Sequence, residues 1–237
     1  MNQLTHPRVR LVVRDLVAGH RLMAGLYWAI FAVVYAGLNI GFGLTHGVNT
    51  SVWQLSGGQV PRYFLSAVGI LLTMLRLPVY VAHGVTRRQV ILGGSVFAVL
   101  ICALWTALTL LGYGIEYAVV VPRLPLYPVS LGQVPGLGVV VFLLDLAYLY
   151  SGWLLGSLFY RFGVRAGILL TPVAVLPSVG AEFALNVDWN SQPLHFALGN
   201  GAPALLASLL LGLVCVAVGA AAVYAVLRTV PIRLRSA

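Results

Sequence analysis

Gly84-Val-Thr-Arg-Arg-Gln-Val-Ile-Leu-Gly-Gly-Ser-Val-Phe-Ala-Val-Leu-Ile-Cys-Ala-Leu-Trp-Thr-Ala-Leu-Thr-Leu-Leu-Gly-Tyr-Gly114 opens on two adjacent arginines and then carries no charged side chain from Val90 to Gly114. A helix rises about 1.5 Å per residue and membrane hydrocarbon is about 30 Å thick, so about 20 such residues suffice to cross it. Five further runs meet this length: Leu22 to Leu44, Tyr63 to Ala82, Gly136 to Phe159, Ala166 to Leu185 and Ala204 to Leu227. The expected fold is an all-α membrane protein, one transmembrane domain of six helices.

Composition agrees. Hydrophobic residues make up 60% of the 237 and charged residues 8%, against about 25% charged in a typical soluble domain. The arginines then set an orientation. Arg8, Arg10, Arg14 and Arg21 precede the first run, Arg76, Arg87 and Arg88 lie about the end of the second, Arg161 and Arg165 join the fourth to the fifth, and Arg228, Arg233 and Arg235 follow the sixth. Only Arg62 and Arg123 fall on the other side. Short arginine-rich loops are retained in the cytoplasm, so both termini are expected inside and the segments around 45–62, 115–135 and 186–203 outside. The net charge of +9 is accounted for by flanks facing anionic headgroups, and nucleic acid is not expected as a partner.

All fourteen basic residues are arginine. Without lysine the usual Walker A pattern is absent, so any ATP and Mg chemistry belongs to another chain, and a Schiff-base lysine is excluded. Cys102 and Cys215 fall mid-span, where small apolar packing is expected rather than a disulfide. The five histidines share no metal-ligand spacing, and no metal or cofactor is expected in this chain. The first run follows a 21-residue charged stretch and is too long for a signal-peptide core, so it should stay attached. The arginine-rich, alanine-rich, lysine-free composition suggests a GC-rich bacterial genome and a plasma-membrane location.

Before the first span, Val9, Val12, Val13, Leu16 and Val17 recur at helical spacing, with Arg8, Arg14 and Asp15 on the remaining surface. Thr5 can cap this segment and Pro7 suits its first turn. Residues 8–18 are expected to lie along the cytoplasmic interface, with the chain turning into the bilayer at about Gly19. This segment is either a topology anchor or an elbow that clasps a neighbouring span. In the corner after the second span, Gly84 can supply the left-handed residue that closes one helix and Thr86 can cap the next. Arg87 and Arg88 oppose the dipole of the helix they begin, so helix stability does not explain them. They form an ordinary positive-inside pair or meet an acidic partner.

This corner, together with a third span that ends in Gly114-Ile115-Glu116, resembles the membrane subunits of type-2 ABC exporters, permeases that pair with a separate ATPase. The resemblance covers the six-span layout and the stretch from about Arg76 to Glu116. It implies a coupling helix at the corner, with Gly84, Thr86, Arg87 and Arg88 in contact with cytosolic ATPase subunits, and a homodimer or a related permease beside this chain. It also implies an interfacial helix at 8–18 and an extracellular gate of re-entrant helices at roughly Ser178 to Asn200.

Polar residues within the spans mark the remaining candidates. Asp145 lies near mid-bilayer, on one stripe with Tyr148, Gly152 and Gly156. An ionised carboxylate there requires water, a partner or the bundle interior, as structural glue or as a wall of a transport path. Gly152 and Gly156 form a G-x-x-x-G pattern that admits a close helix, and Gly37 and Gly41 repeat it in the first span for internal packing or a dimer seam. Arg76 can snorkel to the interface, and Glu116, at the outer boundary, is expected to be solvated. Pro172 and Pro177 should kink or break the fifth span, with Glu182 just beyond. An energy-coupled vitamin importer subunit is the alternative transport reading. An intramembrane enzyme would need a nucleophile elbow or a carboxylate cluster, and Ser178 and the five acids form neither.

Overall fold

The computed structural model describes residues 7–45, 53, 59–120, 134–185 and 201–230. Thr5, Arg123, Arg233, Arg235 and most of the expected gate segment therefore lie outside the described residues. Six helices are long and apolar enough to cross a membrane, consistent with a multi-pass membrane protein, and the described residues contain no strand. They are α1 (Pro7–Thr45), α2 (Val60–Ala82), α3 (Arg87–Val120), α4 (Val134–Phe162), α5 (Val164–Leu185) and α6 (Gly201–Leu227).

The centre of the bundle is α4. Of its span 78% is buried, against 6% for α1, because α2, α3, α5 and α6 all pack on it while α1 rests chiefly on α3. Lipid tails are as apolar as leucine, so such a bundle is held by close packing rather than by escape from water. The α2–α4 crossing has this form. A Cβ placed on Gly152 would strike the Ser66 carbonyl, one on Gly69 would strike the Leu149 carbonyl, and one on Gly156 would come within 2.7 Å of the Ile70 oxygen. The stripe expected from Gly152 and Gly156 is thus a backbone-to-backbone seam. At Gly37 and Gly41 an added Cβ would meet nothing within 4 Å among the described residues. Above the α2–α4 seam, Phe64 stacks on Trp105 at 5.5 Å and Tyr27 packs on Phe64 at 4.4 Å, which ties α1, α2 and α3 together through aromatic rings.

Helix α1 departs from expectation, α2 carries a widened turn that the sequence does not announce, and α5 does not break. Helix α1 runs unbroken through Gly19, with no turn there. At 39 residues it is about 58 Å long, and part of the stripe of residues 8–18 is covered by protein: Val9, Val12 and Leu16 are buried while Val17 is exposed, and Val12 lies over Gly93 of α3. Helix α2 contains a π-turn at Leu72–Arg76, in which the Leu77 N–H reaches back to the Leu72 carbonyl. Pro78 follows, and its ring would collide with the carbonyl four residues earlier in a regular helix, so the widened turn relieves that clash. Helix α5 stays helical across Pro172 and Pro177, and just after Pro177 the Ser178 N–H donates to the Ser151 hydroxyl of α4 at 3.0 Å. A neighbouring helix thus supplies an acceptor for a backbone N–H beside the proline.

Candidate functional site

Two polar assemblies stand out, one at each end of the bundle. At the arginine-rich end, α2 stops in a Schellman turn: Val85 N–H reaches the Tyr80 carbonyl and Gly84 N–H the Val81 carbonyl, each at 3.0 Å. Gly84 has φ +75°, the left-handed conformation that this motif needs and that glycine adopts without penalty. Thr86 and Gln89 then start α3 with a reciprocal capping box, Thr86 N–H to Gln89 Oε1 at 3.0 Å and Gln89 N–H to Thr86 Oγ1 at 3.3 Å. This satisfies two of the orphan donors at the helix start. Arg8 of α1 donates to the Gly84 carbonyl at 2.7 Å.

One to two helical turns further in, Asp15 accepts the Tyr80 hydroxyl at 2.7 Å and pairs with Arg76 at 3.6 Å. The Arg76 guanidinium lies over Gly19, 2.5 Å from where a Cβ would stand. Arg76 therefore snorkels to a specific partner, and it does so from the last residue of the π-turn. Arg88 is exposed and Arg87 half-buried, with the Arg87 Nε buried and without a hydrogen-bond partner. Arg14 is exposed on the face of α1 turned away from α3.

At the opposite end the expected positions change. Arg62, read from the sequence as an external loop residue, is the third residue of α2 and only 2% exposed. Its Nη1 lies 3.6 Å from Glu182 of α5, while its Nε and Nη2 are buried without a hydrogen-bond partner. Tyr148 of α4 donates to the same Glu182 oxygen at 2.7 Å, and Tyr63 meets the Tyr148 ring edge-on at 5.6 Å. Asp145, 1% exposed, accepts the Thr106 hydroxyl of α3 at 3.1 Å.

Glu116 is a second correction: it is 2% exposed, not solvated. Its Oε1 accepts the Tyr35 hydroxyl at 3.0 Å and the Trp53 backbone N–H at 3.1 Å. The Trp53 ring occupies the notch left by Gly112, and its Nε1 donates to the Thr109 carbonyl at 3.1 Å. Pro177 packs beside Gly219 of α6 rather than among the polar groups.

Of the sequence candidates, the fold therefore brings Tyr148 and Glu182 together, joins Asp145 to Thr106, keeps Glu116 with Tyr35 and Trp53, and leaves Pro177 apart. It adds Arg62, Tyr63 and Thr106. Position in a loop-flanking stretch concealed Arg62, and its spacing of one residue from Tyr63 carried no distinctive pattern. Among the described residues no three His, Cys, Asp or Glu side chains gather as a metal site. No family model, curated protein or solved structure matches the chain.

Proposed function

We propose that this chain is the membrane permease subunit of an ATP-driven exporter and that a separate cytosolic ATPase docks on the corner at residues 83–89. The observation that carries this reading is the build of the corner. A basic loop serving orientation alone requires only charge. Here a Schellman turn, a capping box and the Arg8 clamp hold a short turn rigidly between two long helices. The Asp15–Tyr80–Arg76 contacts then tie that turn to α1 and to the π-turn of α2. Such a corner moves as one piece, and a push on it passes into two helices at once. Exposed Arg88 and half-buried Arg87 supply positive charge for an acidic groove. The transport permease reading also draws on the absence of any lysine for a Walker site, with ATP and Mg held by the partner.

In this arrangement both termini face the cytoplasm of a bacterial plasma membrane, and residues 8–18, the start of the unbroken α1, clasp α3 through Val9 and Val12. A second permease, identical or related, packs beside it. Asp145, Tyr148, Glu182 and Arg62 line the outward half of the path.

The test is detergent co-purification of the chain with its ATPase, followed by the pair Arg87→Glu and Arg88→Glu. The complex, or permease-stimulated ATP hydrolysis, is expected to be lost while membrane insertion and monodispersity persist. Unchanged binding and coupling would remove the docking role.

A further inference from the structure

Helix α1 is the least buried of the six, and a cavity of about 270 Å³ lies between it and α3 toward the arginine-rich end of the bundle. Val17, Arg21 and Ala24 line it from α1, and Leu100, Ile101 and Leu104 from α3. Its inner side is fixed: buried His20 and Phe97 pack ring against ring at 4.8 Å, and His20 Nδ1 is bonded to the Leu16 carbonyl at 2.8 Å. Its outer side is open, because Leu100 and Leu104 are about half exposed (50% and 51%) and Arg21 is exposed. A molecule in the surrounding membrane can therefore enter it sideways.

Shape restricts that molecule. From Val17 to Ala24 the cavity runs about 10 Å along α1, most of the depth of one leaflet when two leaflets share about 30 Å of hydrocarbon. A volume of 270 Å³ over that length leaves a cross-section of roughly 27 Å², several times less than that of a helix about 10 Å across. One hydrocarbon chain fits where another helix does not, and the apolar lining suits it.

Charge restricts it further. Other arginines at this end have protein partners: Arg8 bonds the Gly84 carbonyl, Arg76 pairs with Asp15, and Arg161 bonds the Val226 carbonyl and the Thr229 hydroxyl. Arg21 forms no ion pair among the described residues. It stands two residues beyond Gly19, the position against which the Arg76 guanidinium lies, so it begins at least as deep as a side chain that has its own carboxylate. A guanidinium stays charged at any relevant pH, and a cation beside hydrocarbon calls for an anion or for the headgroup layer. Helical side chains lean toward the helix N-terminus, so Arg21 carries its charge to the headgroup end of the cavity while Ala24, Ile101 and Leu104 continue it inward. A negative head above an acyl tail meets both demands.

We propose that the cavity between α1 and α3 is a binding site for an anionic phospholipid, whose phosphate pairs with Arg21 and one of whose acyl chains fills the space between Ala24 and Leu104. The site lies apart from the corner at residues 83–89 and stands whether or not an ATPase docks there.

The test uses the full chain alone, reconstituted in phosphatidylcholine vesicles that contain a trace of phosphatidylglycerol with a diazirine in one acyl chain. After illumination, peptide mapping is expected to find the label within residues 17–24 and 97–105. Phosphatidylcholine carrying the same diazirine chain should label them about fivefold less, the scale of one basic side chain meeting an anionic headgroup. Arg21→Gln should abolish that preference. Arg165→Gln, which removes an exposed arginine of α5, should leave it intact, and Ala24→Leu, which narrows the cavity, should reduce labelling by both probes. Equal labelling of the unaltered chain by the two lipids would mean an unselective lipid coat and would overturn the proposal. So would label found only elsewhere in the chain, or a preference that survives Arg21→Gln. A diazirine-bearing palmitate that labels the site as strongly as phosphatidylglycerol would assign it to free fatty acid and overturn the phospholipid. The probes on the unaltered chain decide the matter even if a variant fails to fold.

Discussion

Gly152 and Gly69 stand where α4 crosses α2, and each gives the other helix's backbone the space that a side chain would take. Gly152→Ala should force the two helices apart at the most buried seam of the molecule. A loss of about 1–3 kcal/mol is expected, as for overpacking elsewhere, seen as a lower thermal unfolding midpoint of the detergent-solubilised chain. Gly37→Ala, where the added methyl meets nothing, should leave that midpoint unchanged. Glu116 makes a different residue-scale case. Its Oε1 accepts the Tyr35 hydroxyl and the Trp53 backbone N–H. Glu116→Ala strands both donors in a buried setting, at about 1–3 kcal/mol for an unsatisfied group. Trp53 fluorescence, measured with the other tryptophans replaced by phenylalanine, should shift to the red as the ring leaves the Gly112 notch; an unshifted spectrum would mean that Glu116 does not anchor this residue. The sequence displays the small residues of such a seam but not which neighbour fills them: the same spacing at Gly37 and Gly152 faces open space in one helix and backbone in the other.

Helices α2 and α5 show how a proline is accommodated when no water is at hand. In α5 the Ser178 N–H turns to Ser151 across the interface. Ser151→Ala should therefore raise amide exchange at Ser178 and cost about 1 kcal/mol, with the rest of α5 little affected. In α2 the widened turn before Pro78 shifts the phase of everything after it, and so aims Tyr80 and Arg76 at Asp15. Pro78→Leu removes the reason for that turn. The helix should regain regular pairing, the Asp15 contacts should break, and ATPase coupling should fall even though the chain still inserts; normal coupling in this variant would separate the π-turn from transmission. Pro78, Pro172 and Pro177 are all visible in the sequence. Their outcome is not, because a kink, a widened turn and a regular helix with a cross-helix bond are alternative responses to the same disturbed ladder, and only the packing around the helix selects among them.

For the molecule as a whole, long apolar helices with arginines gathered at one end give one inserted orientation a strong advantage. In a background with Cys102 and Cys215 replaced by serine, Arg88→Cys should react with an impermeant thiol reagent only from the cytoplasmic side, and Tyr63→Cys, exposed at the opposite end, only from outside. Labelling in the reverse sense would invert the docking surface and the transport path together. The sequence by itself determined that six helices form and roughly where each begins and ends, because length and apolarity act locally and every backbone N–H in hydrocarbon must find its partner within its own segment. It also determined the corner at Gly84 to Gln89, whose turn chemistry lies within a few consecutive residues. The tertiary structure alone decided that α4 is central, that α1 continues unbroken through Gly19, and that Arg62 and Glu116 are buried. Those outcomes depend on contacts between residues far apart in the chain, where the burial of a charge is set by what three other helices place around it.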